Sequence, residues 1–188
     1  AYKNWVRGRI NDQSNVYIFF SGNGLASADG KKLYLMPYDV YPSLLDDTAI
    51  SRDEIITSIQ EVTPKSVYFF IDASYSGHTR EKEMILTDAR PITIVPIEND
   101  VPENFTVFSA SSGSEISGSL PEADHGLFSY FLMKGLEGEA DVNNDKKITN
   151  GELHSYVRSN VIRQAVRLGR EQTPQLKGDE NTVLVEFN

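Results

Sequence analysis

Cysteine is absent from all 188 residues. That excludes disulfides, thiolate metal sites and a thiol nucleophile in this chain. Positive charge is also scarce: 18 Lys and Arg stand against 27 Asp and Glu, a formal net charge of -9. No basic run is available to neutralise phosphates, so nucleic acid is not expected as a partner. No apolar window reaches the roughly 18 residues that a membrane-spanning helix requires, so no membrane partner is expected either. Histidine occurs three times, which leaves few candidates for a general base at neutral pH.

What the chain does have is a pair of similar strand ends. Residues 67–77 read V-Y-F-F-I-D-A-S-Y-S-G. The run from Val67 to Ile71 is β-branched and aromatic throughout, the mark of a strand buried on both faces of a sheet. It stops at Asp72, and Ala73, Ser74, Ser76 and Gly77 follow. Open α/β sheets place their sites at such carboxyl ends, which makes Ser74 the first nucleophile candidate. Residues 16–20, V-Y-I-F-F, repeat the construction and end in Ser21-Gly22-Asn23-Gly24. Two parallel strands ending in short polar loops bring distant residues together, here Asn23 and Ser74.

The remaining signals outline an α/β chain. Trp5, Val6 and Ile10 suit the last turns of an amphipathic helix, and residues 11–14 a turn. Asp29-Gly30 reads as a hairpin turn before a strand at 33–36, which Pro37-Tyr38-Asp39 breaks. Ser51 with Glu54 forms a capping-box pattern for a helix whose face is Ile55, Ile56, Ile59 and Val62, ended by Pro64. Strand, helix and the strand at 67–71 then read as a βαβ unit with parallel neighbours. A short strand is expected at 92–95 and a third core strand at 105–109, opening into the loop 110–113. Asp124 is expected to cap a helix carrying Leu127, Phe128, Phe131, Leu132 and Leu136. A longer helix runs from Gly151 to Leu168 with Gly169 at its C-cap, and 182–187 reads as a last strand. The expected fold class is α/β, one domain over 1–188 with a mostly parallel central sheet flanked by helices.

One further motif concerns a metal. Asp141, Asn143, Asp145, Thr149 and Glu152 fall at positions 1, 3, 5, 9 and 12 of an EF-hand-like loop, with Ile148 at the apolar position 8. Lys146 stands at the glycine position and opposes the sharp turn required there. The same residues also read as turn formers, with Thr149 and Glu152 as a capping box for the long helix. Calcium is the one cofactor the sequence raises, and no other is expected.

The two strand ends together resemble a known family. F-F-S-G-N-G at 19–24 is similar to the F-Y-S-G-H-G stretch that carries the catalytic His of caspase-like peptidases of the metacaspase and bacterial kind. F-I-D-A-S-Y-S-G at 70–77 is similar to their D-A-C-Y-S-G stretch, which carries the catalytic Cys. L-Y-L-M-P-Y-D at 33–39, F-S-A-S-S-G-S-E at 108–115, H-G-L-F-S-Y-F-L at 125–132 and Q-T-P-Q-L at 172–176 follow in the family's order. The resemblance implies a caspase-hemoglobinase fold. It also implies that an N-terminal portion, a strand, a helix and further elements, is missing from this chain, and that segment is itself a candidate partner.

The resemblance implies a site as well, and the chain departs from it at both catalytic positions. Asn23 stands where the family has its general base and Ser74 where it has its nucleophile. Asp72 matches the residue that lines an acidic pocket for a basic side chain, with Asp39 at the rim and Ser109 and Ser111 in the segment lining the cleft. Asn23 can hydrogen-bond but takes up no proton at neutral pH, and a Ser hydroxyl depends more on a base than a thiol does. His78, His125 and His154 make no convincing triad with Ser74, which weighs against a serine hydrolase. The expectation is a catalytically inactive caspase-like domain that binds a peptide or protein partner as a scaffold or regulator. The alternative is a cysteine endopeptidase cleaving after basic residues, inactivated by engineered Cys-to-Ser and His-to-Asn changes.

Overall fold

The three apolar runs at 16–20, 67–71 and 105–109 become neighbouring strands. The computed structural model describes residues 6, 8–27, 29–41, 44–75, 100–113 and 115–188. In chain order it contains β1 (Asn15–Ser21), β2 (Asn23–Ala26), β3 (Leu33–Met36), a helical turn at Leu45–Thr48, β4 (Ile50–Ser51) and α1 (Arg52–Gln60). There follow β5 (Ser66–Asp72), β6 (Phe105–Ser109), β7 (Ser119–Leu120), β8 (His125–Gly126) and α2 (Leu127–Lys134), which runs on into a π-helical segment at Gly135–Glu139. The chain closes with β9 (Lys147–Thr149), α3 (Asn150–Arg167), β10 (Gln175–Lys177) and β11 (Val183–Glu186).

The central sheet has the order β1-β5-β6-β10. Its first three strands are parallel and β10 is antiparallel to β6. The period of two along β5 divides the molecule into layers. Val67, Phe69 and Ile71 face α1 and the small β2-β3-β4 sheet, packing with Ile56, Ile59, Leu33 and Leu35. Tyr68 and Phe70 face the other way, against Leu127, Phe128 and Leu132 of α2 and Leu153, Val157 and Val161 of α3. A strand covered on both faces needs apolar residues at every position, which is why 67–71 lacks alternation.

Helix ends follow local chemistry. Ser51 accepts the Glu54 amide at 3.4 Å and opens α1. Thr149 and Glu152 form the reciprocal capping box of α3, with Glu152 Oε2 taking the Thr149 amide at 2.9 Å and Thr149 Oγ1 taking the Glu152 amide at 3.2 Å. Gly169, at φ 68°, ends α3 and lets the Arg170 amide reach the Ala165 carbonyl at 3.0 Å.

Several expectations are corrected. The strand at 33–36 is not a member of the central sheet: β3 pairs antiparallel with β2 and β4, and the parallel crossover runs from β1 to β5. Asp124 does not cap α2. It ends a 3-10 turn at Pro121–Ala123 with φ 55°, and Gly126 precedes the helix without a side-chain cap. Lys146 does not prevent the loop turn, because it adopts φ 65° itself, as Asn144 does at 59°. Of the N-terminal helix, Val6, Gly8 and Arg9 are helical and the Ile10 amide reaches the Val6 carbonyl at 3.0 Å. Trp5, the strand at 92–95, Ser76, Gly77 and His78 lie outside the described residues.

Candidate functional site

The parallel register of β1 and β5, which sets Ser21 against Asp72, continues past both strand ends. The Gly22 amide donates to the Asp72 carbonyl at 3.2 Å, and the Gly24 amide donates to the Ser74 carbonyl at 3.1 Å. Residue 23 lies between those two contacts, so the backbones of Asn23 and Ser74 meet at the carboxyl end of the sheet. Glycine is required for this approach: a Cβ at residue 24 would stand 2.7 Å from the Ser74 carbonyl oxygen and 2.8 Å from the Tyr75 ring. Asn23 is exposed and begins β2 opposite Met36, so its segment is the start of a hairpin where a polar loop was expected. Ser74 is buried.

Asp72 is fully buried. Alternation along β5 turns it to the same side as Tyr68 and Phe70, beneath α2. There Ser129, on the first turns of α2, donates both its hydroxyl and its amide (3.3 Å) to Oδ2. Ser117 donates its hydroxyl to Oδ1 at 2.6 Å. Two hydroxyls and an amide thus replace the water that a buried carboxylate gives up.

Ser117 belongs to the loop after β6, and that loop is held from the far end of the chain. The buried Gln172 accepts the Gly118 amide at 2.9 Å through Oε1 and donates through Nε2 to the Ala110 carbonyl at 3.1 Å. Glu115 accepts the Ser112 amide at 3.0 Å, the Thr173 amide at 2.7 Å and the Thr173 hydroxyl at 2.9 Å. Ser109, at the end of β6, and Ser111 are buried within this segment. Asp39 is exposed in the turn three residues beyond Met36, on the Asn23 side. Asn23, Ser74, Asp72, Ser109 and Ser111 therefore gather at one sheet edge. Ser117, Ser129, Glu115 and Gln172 are the residues that sequence reasoning missed. For Glu115, Ser129 and Gln172 the signal was membership of the segments 108–115, 125–132 and 172–176; Ser117 lay in none of them.

The remaining histidines sit elsewhere in the architecture. His125 is exposed in the two-residue β8, and His154 on α3 donates from Nε2 to the Pro174 carbonyl at 3.1 Å.

The loop 141–152 is closed by its own hydrogen bonds. Asp141 accepts the amides of Asp145 at 3.2 Å and Lys146 at 3.0 Å, and Asn143 accepts the Asp145 amide at 2.8 Å. Asp145 takes the Lys147 amide at 2.9 Å. Glu152 is engaged by Thr149 and, at 2.8 Å, by the Asn143 side chain. Among the described residues no group of three or more His, Cys, Asp or Glu is placed to hold a metal ion. No helix among them is long and apolar enough to cross a membrane.

The sequence matches no protein-family model and no curated protein. The fold is similar to that of a structural-genomics target protein from Geobacter sulfurreducens, known from its crystal structure, with a TM-score of 0.56 at 13% identity. The match covers 100% of this chain and 76% of the other. At that identity the likeness concerns the fold alone: an α/β arrangement with a mostly parallel sheet and flanking helices.

Proposed function

We propose that the chain is a catalytically inactive domain of the caspase-like fold, a pseudopeptidase that binds a peptide or protein segment at the carboxyl end of its central sheet. The observation that carries this reading is the pair of backbone hydrogen bonds from the Gly22 amide to the Asp72 carbonyl and from the Gly24 amide to the Ser74 carbonyl. They hold residue 23 beside residue 74, at the edge where the family resemblance expects base and nucleophile. Asn23 has no basic atom and the Ser74 hydroxyl is far less acidic than a thiol, so nothing at this pair drives acyl transfer. Binding does not need that chemistry. Asp72 supplies an acidic determinant, Ser109 and Ser111 the floor and Asp39 the rim, and Arg or Lys is the complementary side chain. Asp72 is buried and held by Ser117 and Ser129, so entry of a basic side chain requires those segments to part, the first of them tethered by Gln172 at Gly118.

Fluorescence anisotropy with an Arg-containing peptide and its Ala counterpart tests the reading. The chain is expected to prefer the Arg peptide, and Asp72→Ala is expected to weaken it by at least about tenfold. Equal affinity in the variant would remove Asp72 from the site. Fluorogenic peptides with Arg, Lys or Asp before the leaving group test the chemistry. No turnover is expected from the chain itself. Cleavage after Arg or Lys by Asn23→His/Ser74→Cys would identify a cysteine endopeptidase whose dyad has been replaced. Silence with peptide binding retained is the outcome expected of a binding module.

A further inference from the structure

The segment that carries Ser117 is held by a charged group as well as by Gln172. Arg170, just beyond the end of α3, donates from Nη2 to the Ser119 carbonyl at 2.5 Å. Its guanidinium lies against Gly118, where a Cβ would stand 2.0 Å from Nη1, 2.1 Å from Cζ and 2.6 Å from Nε. Ser117, the next residue back, is the one that holds Asp72. Nε of Arg170 is buried and has no acceptor. No carboxylate among the described residues pairs with this guanidinium: Glu171 is exposed, and Glu115 is taken up by Ser112 and Thr173. Burial holds Arg170 below its ordinary range, with no neighbouring charge to raise it. A chain of net charge -9 thus keeps a half-buried cation beside its candidate site without a counter-charge. Such a group is costly until an anion pairs with it.

We propose that Arg170 is the anion-receiving group of the binding edge, taking an Asp or Glu carboxylate of the same peptide whose basic side chain goes to Asp72. This rests on the reading of Asp72 as the determinant for Arg or Lys. One segment restrains both groups, with Ser117 on Asp72 and Gly118 against the guanidinium. When that segment parts, it frees the carboxylate and also uncovers Nε. Together with a neighbouring Nη, Nε forms the fork that a carboxylate accepts in parallel. Charge balance points the same way. A basic side chain entering at Asp72 brings positive charge towards Arg170, and an acid on the same peptide offsets the repulsion. The spacing follows from the segment itself. Ser117 and Ser119 are separated by at most about 7 Å of chain, roughly the interval between alternate side chains of an extended peptide. The acid is therefore expected two residues from the base.

Fluorescence anisotropy with two labelled, amidated peptides, Glu-Ala-Arg-Ala-Glu and Gln-Ala-Arg-Ala-Gln, tests the proposal. The acids flank the base on both sides, so the direction of the bound peptide does not matter. The chain is expected to bind the Glu peptide at least about tenfold more tightly, against its own overall negative charge. Arg170→Gln is expected to abolish that preference while still binding the Gln peptide, and Arg170→Lys to recover part of it. In the unsubstituted chain, the Arg170 Nε–H proton resonance is expected to move with the Glu peptide and not with the Gln peptide, a readout that depends on no variant folding. Equal affinity for the two peptides, or a preference that survives in Arg170→Gln, overturns the proposal and leaves Asp72 as a determinant for basic residues. Failure of both peptides to bind overturns the reading of Asp72 along with it.

Discussion

The Gly24 amide and the Ser74 carbonyl oxygen are joined at 3.1 Å, and this one contact fixes how closely the two strand-end loops approach. A methyl group cannot be accommodated there, since its neighbours at 2.7 and 2.8 Å are backbone and a buried ring. Gly24→Ala is expected to cost about 1–3 kcal/mol in urea unfolding and to weaken peptide binding. Gly22→Ala is the control. Its Cβ meets only the Phe20 ring, at 3.0 Å, and a ring can turn aside, so the loss is expected to stay under about 1 kcal/mol.

Ser117 and Ser129 converge on one buried carboxylate from different segments. Ser117→Ala or Ser129→Ala leaves Asp72 short of a donor, and each is expected to cost about 1–3 kcal/mol in equilibrium unfolding. The two losses are expected to be non-additive in a double-mutant cycle, because both hydroxyls serve the same charge.

Gln172 acts as both acceptor and donor, and its two variants separate those roles. Gln172→Ala is expected to lose about 2 kcal/mol, the sum of two modest hydrogen bonds, and to speed proteolytic cleavage within 110–118. Gln172→Glu keeps the acceptor for Gly118 but sets a carboxylate against the Ala110 carbonyl. It is expected to be the more damaging change above the carboxylate's titration, and to recover on acidification.

Lys146 holds a backbone conformation that favours glycine. Lys146→Gly is expected to raise stability by about 0.5–1 kcal/mol in thermal unfolding. A fall in melting temperature would mean that the Lys146 side chain contributes more than its φ costs.

Lys32, Tyr34 and Asp46 form a surface cluster, with Lys32 Nζ at 2.8 Å and the Tyr34 hydroxyl at 2.5 Å from Asp46 Oδ1. The Lys32 hydrogen bond, and then that of Tyr34, holds the Asp46 carboxyl below its ordinary 3.8. The same contact raises Lys32 above 10.5, while burial and then Asp46 raise Tyr34 above 10.0. The lowered acid stabilises above its unfolded value and loses that contribution as pH falls through its folded one. The raised groups stabilise below their unfolded values and lose their contribution as pH rises. Asp46→Asn is therefore expected to lower the urea midpoint slightly between these limits, with the difference closing in acid and in strong base.

The legible parts of the sequence were those where one rule acted alone. Residues 67–71 and 105–109 had to be buried strands, and Thr149 with Glu152 had to cap a helix. The juxtaposition of Asn23 and Ser74 followed from two strands ending alike. β10 was not legible, because Gln175-Leu176-Lys177 is short and polar and becomes a strand only against the open side of β6. β2 was hidden for a similar reason: Asn23–Ala26 extends because Leu33–Met36 is there to pair with it. Asp72 was legible as the acid that ends a buried strand but its partners were not, since Ser117 and Ser129 are 45 and 57 residues away in sequence.

Gln172 also sets the timing of folding. The segment that carries Ser117 is anchored by a residue 54 to 62 positions later in the sequence, and β10, which follows that residue, forms the antiparallel edge of the central sheet beside β6. A chain emerging from the ribosome can assemble β1, β5 and β6 early, but it cannot fix the 110–118 loop until residue 172 is free of the exit tunnel. The candidate site thus matures after the strands that frame it, and a premature stop upstream of residue 172 releases a chain with its sheet begun and the 110–118 segment unanchored.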